Sequence, residues 1–201
     1  MNGEVVLVPG LWMPAAAMAF IAAQLSRAGF KTYRFGYWGR APLEANIERL
    51  ARFIDGRGCH LVGHSLGGVL IFDTLRRRAG LSCGRIVLLG APVRGSLAGR
   101  RLESHAFGRW FMGACAARWA ECEARWERPE ALGVIAGTLP VGLGRAWGAL
   151  PGENDGVVRL DETAVDGMTE RVMLRLGHSM LPLSRQVAGL VQRFLSAARF
   201  A

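Results

Sequence analysis

The sequence predicts an α/β fold in one domain, residues 1–201, with about six mostly parallel strands and helices on both faces of the sheet. Short apolar runs rich in Val, Ile and Leu alternate with longer amphipathic stretches along most of the chain. Such runs are typical of strands buried on both faces, and their alternation with helical patterns is typical of a parallel sheet. With 201 residues, 51% of them apolar and 20% charged, the chain is long enough for one well-buried core.

The individual elements are predicted from the period of their apolar residues. Apolar and β-branched runs predict strands at 4–8, 31–37, 59–63, 85–89, 132–138 and 171–176. Apolar residues at helical spacing predict helices at 14–27, 43–54, 66–79 and 184–198. Pro14 suits the first turn of a helix, and Gly29 suits the position just after its end. Because ligands bind such sheets at the carboxyl ends of the strands, the residues that follow each strand are the candidates for function.

The formal charge of +9 would ordinarily indicate a nucleic acid or an anionic membrane surface as partner. However, 24 of the 25 basic residues are arginine, and they are scattered apart from short runs at 76–78 and 100–101. We therefore expect no nucleic-acid partner, with a phosphate-binding role as the less favoured alternative. The apolar stretch 7–25 follows no basic residue and is interrupted by Pro9, Gly10 and Pro14. We expect neither a signal peptide nor a stable membrane span, and hence a cytoplasmic protein.

The strongest chemical motif comes directly after the third predicted strand and directly before the third predicted helix. It reads Gly63-His64-Ser65-Leu66-Gly67. A serine on such a tight turn has strained backbone angles and needs small neighbours two residues away. The turn raises the hydroxyl out of the sheet, and the following helix directs its N–H groups toward the same place. We predict that Ser65 is a nucleophile.

A second match to the same pattern has the reverse context. It reads Gly80-Leu81-Ser82-Cys83-Gly84 and falls between a predicted helix and a predicted strand. Ser82 would therefore lie toward the amino ends of the strands, away from the expected site. We interpret this match as a turn.

A serine hydroxyl needs a base to take its proton, and the base needs a carboxylate to orient it. His178 follows the last predicted strand, and Asp155 follows the fifth. A lone histidine is more often a structural side chain, but the position of His178 after the terminal strand favours a catalytic base. The resulting chain order Ser, Asp, His is typical of a serine on this kind of turn. Alternatives for the acid are Glu153, Asp161 and Asp166.

An oxyanion hole needs two N–H donors aimed at the position where negative charge develops. We predict that Leu66, directly after the nucleophile, supplies one amide. The second is predicted at Leu11, in the loop after the first strand, where Gly10 permits a close turn. The alternative for this loop is a plain strand-to-helix turn. The candidates for a substrate pocket are Trp12, His64, Trp110 and Phe111.

Residues 93–129 form the one irregular segment, between the fourth and fifth predicted strands, and we predict a short cap-like insertion there. Its aromatic residues are Phe107, Trp110, Phe111, Trp119 and Trp126. They favour a substrate with an apolar acyl or aromatic part, and the protein core is the alternative location for them.

The chain resembles the lipase and esterase branch of the α/β-hydrolase superfamily, in a compact form without the usual first two strands. The resemblance covers about 5–195 and rests on the Ser65 turn, the Gly177-His178-Ser179 loop and a third segment, Asn154-Asp155-Gly156-Val157-Val158. A further likeness, which includes the Gly95-Ser96 turn after Gly90-Ala91-Pro92, connects the chain with small bacterial lipases and inositol-deacylase-like hydrolases.

This resemblance implies hydrolysis of a small-molecule carboxylic ester through an acyl-enzyme, with no metal and no organic cofactor. Members of the family often have His-Gly where this chain has Pro9-Gly10, so the oxyanion loop is expected to be held differently here. Two alternatives remain open. One is an acyltransferase that uses the same three residues, and the other is a non-catalytic binding module on the same fold.

Overall fold

A computed structural model of the protein describes residues 3–114, 119–142 and 149–201, with the backbone alone at 111 and 112. One sheet runs through it, and its strands are β1 Glu4–Val8, β2 Lys31–Arg34, β3 His60–His64, β4 Ile86–Leu89, β5 Leu132–Gly137 and β6 Glu170–Leu174. The strand order is β2-β1-β3-β4-β5-β6, and every neighbouring pair is parallel. The predicted fold class is confirmed.

The helices connect these strands and cover the sheet. They are α1 Ala19–Arg27, α2 Leu43–Ile54, α3 Leu66–Arg77, α4 Leu97–Glu103, α5 Ala106–Met112 and α6 Arg185–Ala197. Short 3-10 helices occupy Ala15–Met18, Asp161–Thr163 and His178–Leu183. The first predicted helix therefore begins with a 3-10 turn that follows Pro14.

Two apolar layers lie on opposite faces of the sheet because successive strand residues point to opposite sides. Val6 and Leu61 pack on one face with the buried residues of α2 and α3. Leu7 and Val62, their neighbours in sequence, pack on the other face with α1 and α6. Burial on both faces explains why the central strands read as continuous apolar runs rather than alternating ones.

The sequence prediction differs from the structure in two places that matter for the site. Strand β2, at the edge of the sheet, ends at Arg34, earlier than predicted, although the Phe35 amide still donates to the carbonyl of Leu7. The segment 93–129 is not wholly irregular, since it contains α4 and α5. These helices have seven residues each, too few for a clear apolar period, and Ser96 begins α4 by accepting a hydrogen bond from the Gly99 amide.

In the ranges that the structure describes, no helix combines the length and the apolar character that crossing a membrane requires.

Candidate active site

Ser65 lies on the turn between β3 and α3, with φ 52° and ψ −125°. The neighbouring glycines explain how this turn fits. A Cβ on Gly63 would lie 2.5 Å from the Cα of Gly68, and a Cβ on Gly67 would lie 2.2 Å from the carbonyl oxygen of Pro9. Both positions therefore exclude any larger residue, as the sequence motif predicts.

The first turn of α3 begins directly at the serine. The amides of Gly68 and Val69 donate to the Ser65 carbonyl, while the Ser65 amide donates to Leu89 at the end of β4. The N–H of Leu66 belongs to the first helical turn, where an amide has no acceptor within its own helix. The turn thus exposes the positive end of the helix dipole beside the hydroxyl.

The structure brings Asp155 and His178 together in a buried ion pair or hydrogen bond. Oδ2 of Asp155 lies 2.7 Å from Nδ1 of His178, and the two residues are 1% and 6% exposed. Oδ1 of the same carboxylate accepts from the amides of Val157 and Val158, at 3.0 and 2.7 Å. The amide of His178 in turn donates to the Asp155 carbonyl. Both carboxylate oxygens are therefore occupied, which fixes the direction of the imidazole.

The neighbours of Asp155 in the segment 154–158, together with Gly137 at the end of β5, hold Asp155 in place. The side chain of Asn154 accepts a hydrogen bond of 3.0 Å from the Gly156 amide. Gly156 has φ 91°, and a Cβ there would lie 2.4 Å from the carbonyl carbon of Val141. At the end of β5, a Cβ on Gly137 would lie 2.7 Å from the Cβ of Asp155. The segment is thus a tight loop in which a glycine is required.

The alternative acids lie elsewhere. Glu153, Asp161 and Asp166 are all exposed, and the last two form surface ion pairs with arginines. Only Asp155 among these four carboxylates pairs with His178.

Gly90 lies between the Asp155–His178 pair and the turn of Ser65, and the sequence reasoning did not select it as a site residue. It has φ 53°, and a Cβ there would lie 3.1 Å from Oδ2 of Asp155 and 3.3 Å from Nδ1 of His178. Gly90 directly follows Leu89, whose carbonyl accepts the Ser65 amide. The pair therefore lies beside the strand end that adjoins the serine. A glycine just after a strand is the only signal of this role in the sequence.

The ring of His64 is buried, with 1% exposure, and lies 4.8 Å from the ring of His178 between centroids. Its Nε2 is 3.1 Å from the carbonyl oxygen of His178. Burial lowers the pKa of His64 from 6.5 to about 3, and the charge of the neighbouring His178 acts in the same direction. The ring is therefore neutral at physiological pH. The substrate contact predicted for His64 stays a prediction.

The loop after β1 forms a turn closed by a hydrogen bond from the Met13 amide to the Gly10 carbonyl, 3.3 Å long. Trp12 adopts φ 58° within it, an uncommon conformation for a bulky residue. A Cβ on Gly10 would lie 3.2 Å from the Cβ of Ser65, so the turn packs directly against this serine. The amide of Leu11 in this turn remains the predicted second oxyanion donor.

Tyr37 supports this loop, and sequence reasoning missed it. Its hydroxyl donates to the carbonyl of Pro9 at 3.0 Å. A tyrosine from the segment after β2 therefore holds this loop by the carbonyl of Pro9.

The aromatic residues of the cap-like segment divide into two groups. Trp119 and Trp126 are buried in the core. Phe107 and Trp110 are each 64% exposed, and their ring centroids are 5.9 Å apart. The side chain of Phe111 lies outside the described residues.

Glu162 connects the cap-like segment with the residues that follow Asp155, and no feature of the sequence indicated this role. One carboxylate oxygen accepts from the Leu97 amide at the start of α4, at 2.6 Å, and the other accepts from the Arg159 amide, at 2.8 Å. Burial raises the pKa of this carboxyl group. The residue is 6% exposed, and its carboxylate holds these two backbone segments together.

Comparison with known proteins adds to the description of the fold. No family model and no curated protein matches the sequence. Among solved structures, the mature form of Bacillus licheniformis lipase BlEst2 is 16% identical with a TM-score of 0.76, over 96% of this chain and 92% of that one. The pyrethroid hydrolase PytH is 13% identical, with a TM-score of 0.66 over 98% of both chains.

A third similar structure is RedJ, a thioesterase of the prodiginine biosynthetic pathway in Streptomyces coelicolor. It is 14% identical with a TM-score of 0.62, over 97% of this chain and 89% of that one. Likenesses at such low identity show the fold alone. The six-stranded parallel sheet of this chain agrees with that fold. This chain has the α/β-hydrolase fold.

Proposed function

We propose that this protein is a serine hydrolase that cleaves carboxylic esters through an acyl-enzyme. Ser65 is the nucleophile, His178 is the general base and acid, and Asp155 orients the imidazole. The amides of Leu66 and Leu11 bind the oxyanion. The observation that carries the proposal is the buried 2.7 Å contact between Asp155 and His178 beside a serine with a positive φ.

The reaction follows from these roles. Nε2 of His178 takes the hydroxyl proton while Oγ of Ser65 bonds to the ester carbonyl carbon, and the two amides stabilise the negative oxygen. The imidazolium then protonates the leaving alcohol as the C–O bond breaks. Water, deprotonated by His178, attacks the acyl-enzyme, and the carboxylic acid leaves as Ser65 regains its proton.

The substrate is proposed to carry an apolar acyl or aromatic part. Four exposed aromatic side chains support this proposal. They are Trp12 at 46% exposure and Trp38, Phe107 and Trp110 at 64% each. Trp12 belongs to the loop that packs on Ser65, and Gly39, next to Trp38, approaches Leu11 so closely that a Cβ would lie 2.8 Å from its Cδ1. Exposed aromatics beside a reactive centre, as Trp12 and Trp38 are, favour apolar ligands.

The first test is the hydrolysis of p-nitrophenyl esters, from acetate to palmitate, by purified protein. We expect kcat/KM to be higher for medium or long acyl chains than for acetate. Ser65→Ala should lower kcat by at least about 1000-fold, because loss of a nucleophile removes the covalent route. Ser82→Ala is the matched control, since it alters the same five-residue pattern at an exposed residue. Activity of Ser65→Ala within about tenfold of the parent would overturn the assignment.

Acyl transfer to an alcohol, amine or thiol uses the same three residues and remains the second candidate. RedJ, one of the similar folds, is a thioesterase, so acyl thioesters belong in the substrate panel. Product analysis with a competing alcohol separates the two reactions. An ester product in place of the free acid would assign acyl transfer.

A further inference from the structure

The backbone N–H and the backbone C=O of His178 are both bonded to other parts of the site. Its amide donates to the carbonyl of Asp155, at 2.9 Å. Its carbonyl oxygen lies 3.1 Å from Nε2 of His64. A carbonyl can only accept, so Nε2 of His64 must carry the proton and donate. The backbone of the predicted base is thus joined to the acid on one side and to the nucleophile turn on the other.

The position of His64 in the chain gives this bond its consequence. His64 directly precedes Ser65 in the chain. Its side chain therefore connects the backbone beside Ser65 with the backbone of His178. The two imidazole rings are also in contact, with centroids 4.8 Å apart. A Cβ on Gly10 would lie 3.2 Å from Nδ1 of His64, so the same ring borders the oxyanion loop.

The neutral His64 ring with hydrogen on Nε2 is the form that fits the bond to the His178 carbonyl. Among the described residues, Nδ1 of His64 has no hydrogen-bond partner, and the atom is buried. A protonated Nδ1 would be an unsatisfied buried donor, whereas the neutral ring with hydrogen on Nε2 leaves only an acceptor unpaired. Burial also lowers the pKa of His64 to about 3, so the ring is neutral at physiological pH.

We propose that His64 is a positioning residue that fixes the distance and direction between His178 and Ser65 through its Nε2–H bond to the His178 carbonyl. This inference rests on the proposed function, because it assigns a role within that reaction. His64 acts through the backbone of His178, so we expect its effect to appear in kcat rather than in KM.

The experiment compares two substitutions that separate hydrogen bonding from volume. His64→Gln keeps an N–H donor near the position of Nε2, whereas His64→Leu keeps an apolar group of similar size without the donor. We expect His64→Leu to lower kcat about 10- to 100-fold with KM within about twofold, because displacement of a catalytic group by about 1 Å has effects of this size. His64→Gln should restore kcat to within about fivefold of the parent.

His60→Leu is the matched control. His60 is the first residue of β3, whereas His64 is the last. Nδ1 of His60 accepts a hydrogen bond of 2.9 Å from the Arg85 amide. This variant loses a histidine bond to the backbone but should keep kcat within about twofold. Equal losses of kcat in His64→Gln and His64→Leu, or a loss in His60→Leu as large as in His64→Leu, would overturn the proposal.

A second measurement is independent of activity. NMR of the protein labelled with ¹⁵N-histidine should show His64 neutral, with hydrogen on Nε2, from pH 8 to pH 5. Hydrogen on Nδ1, or a charged ring in this range, would contradict the inference. If the parent protein hydrolyses no ester but His64 has the expected tautomer, the proposed function fails while the Nε2–H bond stands.

Discussion

At Ser65 the backbone has a φ of 52°, which costs about 1–3 kcal/mol for a residue with a Cβ. Single glycines around the serine make this conformation possible. Gly63 and Gly67 allow β3 and α3 to approach each other and the end of β1, and Gly90 allows the Asp155–His178 pair to approach the end of β4. The strain at the serine is therefore maintained by close packing at neighbouring positions rather than by the serine itself.

Substitution of Gly90 tests this packing most locally. In Gly90→Ala, the new Cβ would lie 2.8 Å from Cδ1 of Leu181 and 3.1 Å from Oδ2 of Asp155, at a φ of 53°. We expect kcat for a p-nitrophenyl ester to fall about 10- to 100-fold, since the imidazole must move, and the midpoint of urea unfolding to fall as well. Gly80→Ala is the control, because a Cβ at Gly80 meets no atom within 4 Å. Equal kcat in the two variants would contradict the role given to Gly90.

At the scale of elements, the sequence predicts what depends on local patterns. All six strands and the helices α1, α2, α3 and α6 follow from apolar periods, and the context of a strand before Ser65 and a helix after it separates this serine from Ser82. The short helices α4 and α5 are missed because seven residues give too little periodic signal. The early end of β2 is missed because an edge strand is paired on one side only.

The sequence motifs predict the pairing of Asp155 with His178, but they do not predict several other contacts between elements. Tyr37 bonds to Pro9 across 28 positions, and Glu162 bonds to Leu97 across 65. His64 was predicted as a pocket residue, and its bond to His178, which spans 114 positions, was not predicted. Such contacts follow from the sheet order, which places the carboxyl ends of β1, β3, β4 and β5 side by side. No local pattern contains that information.

For the whole molecule, the buried His64 makes stability depend on pH. In the folded chain its pKa is about 3, whereas the usual value is 6.5. The unfolded chain therefore binds a proton on this residue between these values and the folded chain does not. The free energy of unfolding contributed by His64 is complete above pH 6.5 and is lost as pH falls toward 3.

We expect this effect to be visible as a difference between the parent protein and His64→Gln. From pH 7 to pH 5, the parent should lose about 2 kcal/mol more of its unfolding free energy than the variant, as measured by urea denaturation. The comparison cancels the contribution of other groups, including Glu162, whose raised pKa acts in the opposite direction as pH falls. Equal losses in the two proteins would mean that His64 is protonated in the folded state.

The claim on which the whole account depends is that Ser65 is made nucleophilic by His178 and Asp155. The most direct measurement is the reaction of the folded protein with a fluorophosphonate, followed by intact-mass and peptide mass spectrometry. The account predicts one adduct per chain, on the oxygen of Ser65, and a rate that falls sharply in His178→Ala. A protein that stays unlabelled, or that carries its adduct on Ser82 or another residue, would contradict it.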